Sequence, residues 1–259
     1  MKTHKLPSFL IIGVAKCGTT GLYRTLINHP KIKSAKTKEL YFFDRDIQYR
    51  KGMNHYKSLF KKCDKDEICG EATPYYFYFE NVPERVKKHL PNIKIILLLR
   101  NPIDRAYSHF YGYLRKCRLR HEKMISKDLK SFIKIVSKNP SVTMNHRGRT
   151  LLKCGMYGKQ MKRWLKHFPL SQFKIIKSED YFKNPKKILN EVFEFIDVDK
   201  KEIPIKRYLI MEQQNKKTLG VERYSKLDKE TRDLLYNYYK ESNELLYKLI
   251  RRDMKWEKE

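Results

Sequence analysis

Residues 8 to 21, SFLIIGVAKCGTTG, constrain the fold more than any other stretch of the chain. Phe9 to Gly13 are apolar or Gly without alternation, the pattern of a parallel strand buried on both faces, and polar, Gly-containing residues then interrupt the run. The spacing predicts a helix next, because Leu22, Tyr23, Leu26 and Ile27 fall on one helical face. A buried strand, a Gly loop and a helix N-terminus in that order form an anion-binding site. The unpaired N–H groups of the first turn and the positive end of the helix dipole converge on one point.

The loop is similar to a Walker A motif and departs from it in an informative way. Gly13 and Gly18 have the right separation, but Lys16 lies between them and Thr19-Thr20 follow, whereas GxxxxGK[ST] places Lys after the second Gly. A nucleoside triphosphatase needs that Lys on the phosphates and an acid to hold Mg²⁺. Here the second buried strand, Ile93 to Leu99, ends in Arg100, which suits another phosphate better than a metal. Asn101-Pro102-Ile103-Asp104 then reads as a helix start, with an Asn cap, Pro at the first position and an acid in the first turn. Asn101, Asp104 and Ser108 fall at i, i+3 and i+7, so Ser108 shares the face that begins at the strand end and can join Arg100 around one anion.

With 259 residues and 41% hydrophobic content, the chain is expected to form one domain over 1–259, with a lid or insertion around 116–150 where the sequence is basic and weakly patterned. Lys+Arg of 58 against Asp+Glu of 29 gives a net charge of +29, which favours an acidic partner: nucleic acid, anionic glycan, anionic membrane or nucleotide. The charge is spread along the chain and marks no dedicated patch. Cys17, Cys63, Cys69, Cys117 and Cys154 are odd in number and lack zinc spacing, so they read as reduced thiols, with neither a disulfide framework nor a metal site. No run of about 20 apolar residues is present, and no apolar leader segment precedes the first strand, so no membrane span and a cytoplasmic location are expected.

The remaining chain continues as strand, loop and helix. A short amphipathic helix is predicted near 53–61, a short strand from Ile68 into a Tyr-rich Pro turn, and a helix from Val82 to Leu90. Leu129, Phe132, Ile133 and Val136 suggest a single helix within the insertion, and His146 to Arg149 a basic loop. Met161, Trp164, Leu165 and Phe168 mark another helix, Phe173 to Ile176 a strand, and Asn184-Pro185 the cap of a helix through Ile196. Gln213 to Tyr224 read as a loop and Lys226 to Lys248 as a long helix. This succession argues an α/β fold, a three-layer sandwich with a central parallel sheet flanked by helices.

Two phosphate-type sites at strand ends, one without the Walker Lys and one built from Arg and Ser, resemble those of the PAPS-dependent sulfotransferases. LIIGVAKCGTT is similar to their 5′-phosphosulfate loop and LLLRNPIDRAYSHF to their 3′-phosphate motif. The likeness continues through HPKIKSAKTKELYFFD, GEATPYYF, GMYGKQMKRWLKHFP, SEDYFKNPKKILNEVFEFI and the last helix ending at Trp256, nearly the whole chain. It is nearest to the glycan branch that contains the heparan sulfate N- and 3-O-sulfotransferases and their bacterial relatives. It implies a P-loop NTPase-like sulfotransferase fold, PAPS as donor, 3′,5′-ADP as product and a saccharide acceptor, possible anionic glycans included. In-line positioning and charge stabilisation then suffice, with no metal or covalent intermediate.

Carried over by position, the resemblance implies that Lys16 contacts the 5′-phosphosulfate and stabilises the leaving phosphate, while Cys17, Gly18, Thr19 and Thr20 cradle the same group. Arg100 and Ser108 would bind the 3′-phosphate, and Tyr157 would belong to the nucleotide site. Glu39 taken alone reads as a solvated surface acid, where most glutamates lie; as part of KELYFFD it matches the family's catalytic base. Aromatic neighbours would partly desolvate it and make it a better proton acceptor. Lys38, Tyr41, Asp44 and Tyr75 would face the acceptor.

The chain also departs from the family pattern. It has Ala72 where the heparan enzymes carry Lys, Tyr41 where the 3-O enzymes carry His, and no cysteine pair matching the disulfide of the animal enzymes. Lys216, Lys217 and Arg223 are its nearest match to a C-terminal Lys-Gly-Arg nucleotide motif. Two other readings stay open. A P-loop kinase or NTPase is opposed by the absent Walker Lys and by Arg100. A non-enzymatic polyanion- or RNA-binding module has the charge in its favour, but it lacks an RNA-binding motif and leaves Lys16, Arg100 and Ser108 with no reason to be grouped.

Overall fold

The computed structural model describes residues 3–121, 126–138, 151–199 and 227–256. The expected loops at 146–149 and 213–224 lie outside the described residues. In chain order the elements are β1 (Thr3–His4), β2 (Phe9–Gly13), α1 (Thr19–Leu26), β3 (Ile32–Ser34), α2 (Asp46–Tyr49), α3 (Gly52–Ser58), β4 (Lys62–Cys63), β5 (Ile68–Ala72), α4 (Val82–His89) and β6 (Lys94–Leu99). They continue with α5 (Pro102–Leu119), α6 (Leu129–Lys138), α7 (Tyr157–Trp164), β7 (Phe173–Lys177), α8 (Ser178–Lys183), α9 (Pro185–Phe195) and α10 (Lys229–Ile250). They fall into two compact units, one of residues 1–99 and 163–222, the other of residues 100–162 and 223–259.

The first unit is built on a sheet of order β3-β5-β2-β6-β7 in which every neighbouring pair is parallel. All of β2 and the last five residues of β6 are buried, as their unbroken apolar runs require of strands covered on both faces. Helices flank this sheet: α1 packs against β2 and β5, and α8 and α9 against β7. Tight contact between central strands has a sequence cause at Gly70. It lies opposite Phe9 in the β2–β5 register, and a Cβ there would come within 2.1 Å of the Phe9 ring, so only Gly fits. β1 and β4 form a separate antiparallel pair.

The edge strand β3 has no counterpart among the sequence-based expectations. It pairs Ile32 with Ile68 and Ser34 with Gly70, yet it is three residues long with only Ile32 buried, too short for alternation to show. Helix α1 begins at Thr19, ahead of its first apolar face position, Leu22, because Gly18 serves as its N-cap.

The second unit is helical in its described residues. Asn101 caps α5, its side-chain oxygen accepting from the Ile103 N–H at 3.0 Å, and Asp228 caps α10 through the Thr231 N–H at 2.8 Å. Ile103, Ala106, Phe110 and Leu114 of α5 meet Leu129, Phe132 and Ile133 of α6, Leu151 and Leu152, and Leu235 and Tyr239 of α10 in one apolar core. Within the expected lid, therefore, α5 runs to Leu119 and α6 supplies core side chains, while 122–125 and 139–150 lie outside the described residues.

Candidate active site

The anion loop grows out of the end of β2. Val14 N–H bonds to the Leu98 carbonyl of β6 at 2.9 Å, and Cys17 N–H folds back onto the Val14 carbonyl at 3.1 Å. Lys16 (φ 76°) and Gly18 (φ 93°) both adopt the left-handed conformation, and the second opens α1. Gly is needed at 18, where a side chain would meet that φ and the Phe182 ring 3.0 Å away. No side chain caps α1 and no acid stands in its first turn, so the positive end of its dipole is left for an external anion. Ser178 at the start of α8 holds the loop from behind, its hydroxyl donating to the Cys17 carbonyl at 2.9 Å. Lys16, Gly18 and Thr20 are partly exposed; Cys17 and Thr19 are buried, which leaves Cys17 a backbone role.

Glu39 stands beside the same edge of the sheet. Its N–H bonds to the carbonyl of Ala72, the last residue of β5, at 3.1 Å, and β5 is the immediate neighbour of β2. Both groups therefore lie at the C-terminal ends of adjacent parallel strands, where open α/β sheets bind ligands. The Glu39 carboxylate accepts from the Lys38 ammonium at 2.5 Å and from the Tyr41 hydroxyl. Burial and the bond to Glu39 push the Tyr41 phenol well above its usual range, so it stays a donor. Tyr75 is close enough to Tyr41 to add to that shift, and Arg45 lies over the Tyr41 ring at 4.0 Å. The structure thus gathers Lys38, Glu39, Tyr41 and Tyr75.

Asp44, at the end of the same run, is pushed up to about 6 by burial, and its Oδ1 is buried without a hydrogen-bond partner. Phe42 and Phe43 are fully buried and pack on Tyr49, Tyr56 and Tyr76, with Phe42 stacked on Tyr56 at 4.4 Å.

Sequence reasoning passed over a second carboxylate. Glu71, 1% exposed in β5, accepts hydrogen bonds from the hydroxyls of Tyr56 (2.5 Å), Thr73 (3.0 Å) and Tyr76 (3.1 Å). Burial pushes it up to about 7, against the lowering effect of the three hydroxyls. The available signal was an acid inside the apolar run ICGEA with Thr73 and Tyr76 just beyond it; Tyr56, fifteen positions earlier, carried none.

In the second unit, Arg100 directly precedes the Asn101 cap and Ser108 lies on α5; both are partly exposed. Tyr157 is fully buried, and its hydroxyl donates to the Arg100 carbonyl at 2.9 Å, so it supports the backbone that carries Arg100. Lys216, Lys217 and Arg223 lie outside the described residues. Among the described residues no His, Cys, Asp and Glu cluster could hold a metal, and no helix is long and apolar enough to cross a membrane.

Comparison with known proteins bears on the family and the fold. The family model described as a sulfotransferase domain matches residues 6–253. The chain is 26% identical to the membrane-associated sulfotransferase kil1 of Dictyostelium discoideum over 97% of its own length and 67% of that protein. It is 31% identical to the human bifunctional heparan sulfate N-deacetylase/N-sulfotransferase 3, covering 95% of this chain and 30% of the relative. It is also 31% identical to the mouse heparan sulfate glucosamine 3-O-sulfotransferase 3B1, covering 75% and 47%. The chain thus spans less than half of either heparan sulfate relative.

Among solved structures, a sulfotransferase from Alicyclobacillus acidocaldarius superposes with a TM-score of 0.78 at 24% identity, covering 98% of this chain and 99% of that one. Mouse SULT7A1 complexed with PAP gives 0.57 at 17% identity, covering 95% and 85%. These likenesses establish the sulfotransferase fold. With the family match running almost from end to end, the chain belongs to the sulfotransferase family.

Proposed function

We propose that this sulfotransferase moves the sulfuryl group of PAPS to a hydroxyl or amine of a saccharide, with Glu39 as general base, and releases 3′,5′-ADP. The observation that carries the reading is the placement of Glu39 at the end of β5 beside the uncapped, Lys16-bearing loop that ends β2. As the acceptor oxygen or nitrogen bonds to sulfur, the bond from sulfur to the 5′-phosphate breaks and the acceptor proton passes to Glu39. Lys16 and the first-turn N–H groups of α1 offset the charge left on the phosphate.

Arg100 and Ser108 are assigned to the 3′-phosphate, with Tyr157 holding the Arg100 backbone, and Lys216, Lys217 and Arg223 complete the nucleotide contacts by family resemblance. PAP in the mouse SULT7A1 complex supports the nucleotide. The names of the heparan sulfate relatives support a saccharide, and the net charge of +29 supports an anionic one. Lys38, Tyr41, Asp44 and Tyr75 would meet it. The chemistry asks for no metal. Five buried cysteines that form no disulfide favour a cytoplasmic location.

Calorimetric titration with 3′,5′-ADP, 5′-AMP and ATP-Mg²⁺, beside transfer of labelled sulfuryl from PAPS to heparan sulfate, tests the reading. Tight binding of 3′,5′-ADP alone is expected, with transfer reduced by about 10² or more in Glu39→Gln while 3′,5′-ADP affinity holds. Preference for ATP-Mg²⁺ would return the loop to the kinases, and binding of none of the three would favour a polyanion-binding module.

A further inference from the structure

We propose that Glu71 is a positioning residue for Glu39, acting through the Tyr76 hydroxyl to fix the segment from Glu39 to Phe43. The inference rests on the reading of Glu39 as general base. A fully buried carboxylate in a central strand is costly wherever an apolar side chain would fit, so its presence calls for a task that an apolar residue cannot perform.

The hydrogen-bond directions supply that task. Above about pH 7, where Glu71 is ionised and acceptor-only, the single O–H proton of buried Tyr76 is committed to it at 3.1 Å. The phenol oxygen is thereby turned into an acceptor on its other side, where it takes the backbone N–H of Phe42 at 3.0 Å and, more weakly, that of Phe43 at 3.4 Å. Tyr56 and Thr73 also donate to Glu71 and fix the carboxylate itself.

The segment is pinned at its other end by the same strand, since Glu39 N–H bonds to Ala72, the residue after Glu71. Between the two ties lie Glu39 (φ 66°) and Tyr41 (φ 52°), both in the left-handed region that non-Gly residues seldom occupy. Such a conformation persists only where its surroundings over-determine it. Here it aims the Glu39 carboxylate at Lys38 and Tyr41. Without an acceptor at 71, the Tyr76 proton is free to turn and its oxygen no longer faces the two amides reliably.

The test compares Tyr76→Phe, Glu71→Leu and Glu71→Gln, each alone and the first also in a Glu39→Gln background. Amide hydrogen exchange, 3′,5′-ADP titration, and kcat and KM for sulfuryl transfer from PAPS to heparan sulfate are the readouts. Tyr76→Phe should speed exchange at Phe42 and Phe43 by about tenfold or more, the loss expected for one buried hydrogen bond. It should lower kcat by about 10- to 100-fold through misplacement of the base, with KM for PAPS and 3′,5′-ADP affinity little changed. Glu71→Leu should reproduce this pattern, and Glu71→Gln, which keeps a carbonyl acceptor, should restore both exchange protection and kcat.

In the Glu39→Gln background, Tyr76→Phe should cost no further kcat, because it acts only through Glu39. Unchanged exchange at Phe42 and Phe43 in Tyr76→Phe overturns the proposal, as does a kcat loss that persists undiminished in the Glu39→Gln background. If Glu71→Leu does not fold, Tyr76→Phe still decides whether the Tyr76 tie exists, and failure of Glu71→Gln to keep the amides protected counts against Glu71. Full activity of Glu39→Gln alone would instead remove the general-base reading, leaving exchange to decide whether the Glu71–Tyr76 pair holds the segment.

Discussion

Glu71 binds its proton more tightly in the folded chain than in the unfolded one. Its carboxyl moves from the usual 4.5 to about 7, chiefly by burial, with the charge of Asp44 adding to the rise and the three hydroxyls opposing it. Between those values the native state holds more protons than the unfolded state, so this group's contribution to stability falls as pH rises through the window and is level above it. The full effect is about 3 kcal/mol. Glu71→Gln removes the titration, so its stability relative to the parent should grow by about 2–3 kcal/mol between pH 5 and pH 8, read from urea unfolding at each pH. Tyr56, Tyr76 and Tyr23 also face the group, but burial raises all three phenols, which stay neutral throughout. Asp44, pushed up to about 6, titrates in both proteins. A difference that does not change with pH would mean that Glu71 keeps its usual affinity for protons. Strain falls on the same chemistry. Of seven non-Gly residues with positive φ among those described, three are Lys16, Glu39 and Tyr41, the pattern expected where backbone geometry serves a site.

Helix α5 depends on how it starts. Asn101 caps it through the Ile103 N–H at 3.0 Å and also donates to the Trp256 carbonyl at 3.4 Å, while Pro102 fills the first position. Asn101→Ala should lower stability by about 1 kcal/mol, the usual worth of such a cap, and somewhat more because a buried acceptor loses its partner; urea unfolding measures it. A value near zero would mean that Pro102 alone sets the helix start. This element was legible in advance because cap, Pro and first-turn acid are local chemistry; α9 shows the same cap and Pro, with Asn184 accepting from Lys187 N–H at 3.2 Å. Strands β2 and β6 were legible for a different reason, since burial on both faces leaves an unbroken apolar run. β1, β3 and β4 were not, because two or three residues hold no period and their pairing partners decide them. The site divides in the same way. Loop 13–20 shows itself through glycine spacing, whereas Glu39 looks like any surface acid until the family motif singles it out. The Glu71 cluster draws on positions 56, 71, 73 and 76, which only the fold brings together.

At the scale of the whole molecule, charge is the dominant feature. Fifty-eight basic side chains face 29 acids, an excess that self-repulsion must oppose in the compact state. The described ion pairs relieve little of it, because several, such as Lys94–Asp197 and Lys130–Glu230, have well-exposed carboxylates and are weak in water. The Debye length falls from about 30 Å at 0.01 M salt to about 8 Å at 0.15 M, so screening should relieve the repulsion across this range, and the melting temperature should rise with added NaCl. A sulfated glycan should do the same at low salt by a different route, binding the folded chain and raising its melting temperature by mass action. The two effects must then run in opposite directions: as NaCl rises, the protein alone gains stability while the increment from heparan sulfate shrinks, because the same screening weakens both repulsion and attraction. Thermal unfolding across that salt series, with and without heparan sulfate, reads both slopes. A glycan increment that is independent of salt would assign acceptor recognition to specific uncharged contacts, and a melting temperature that falls with NaCl would show that attraction within the chain's own ion pairs outweighs the repulsion of its excess charge.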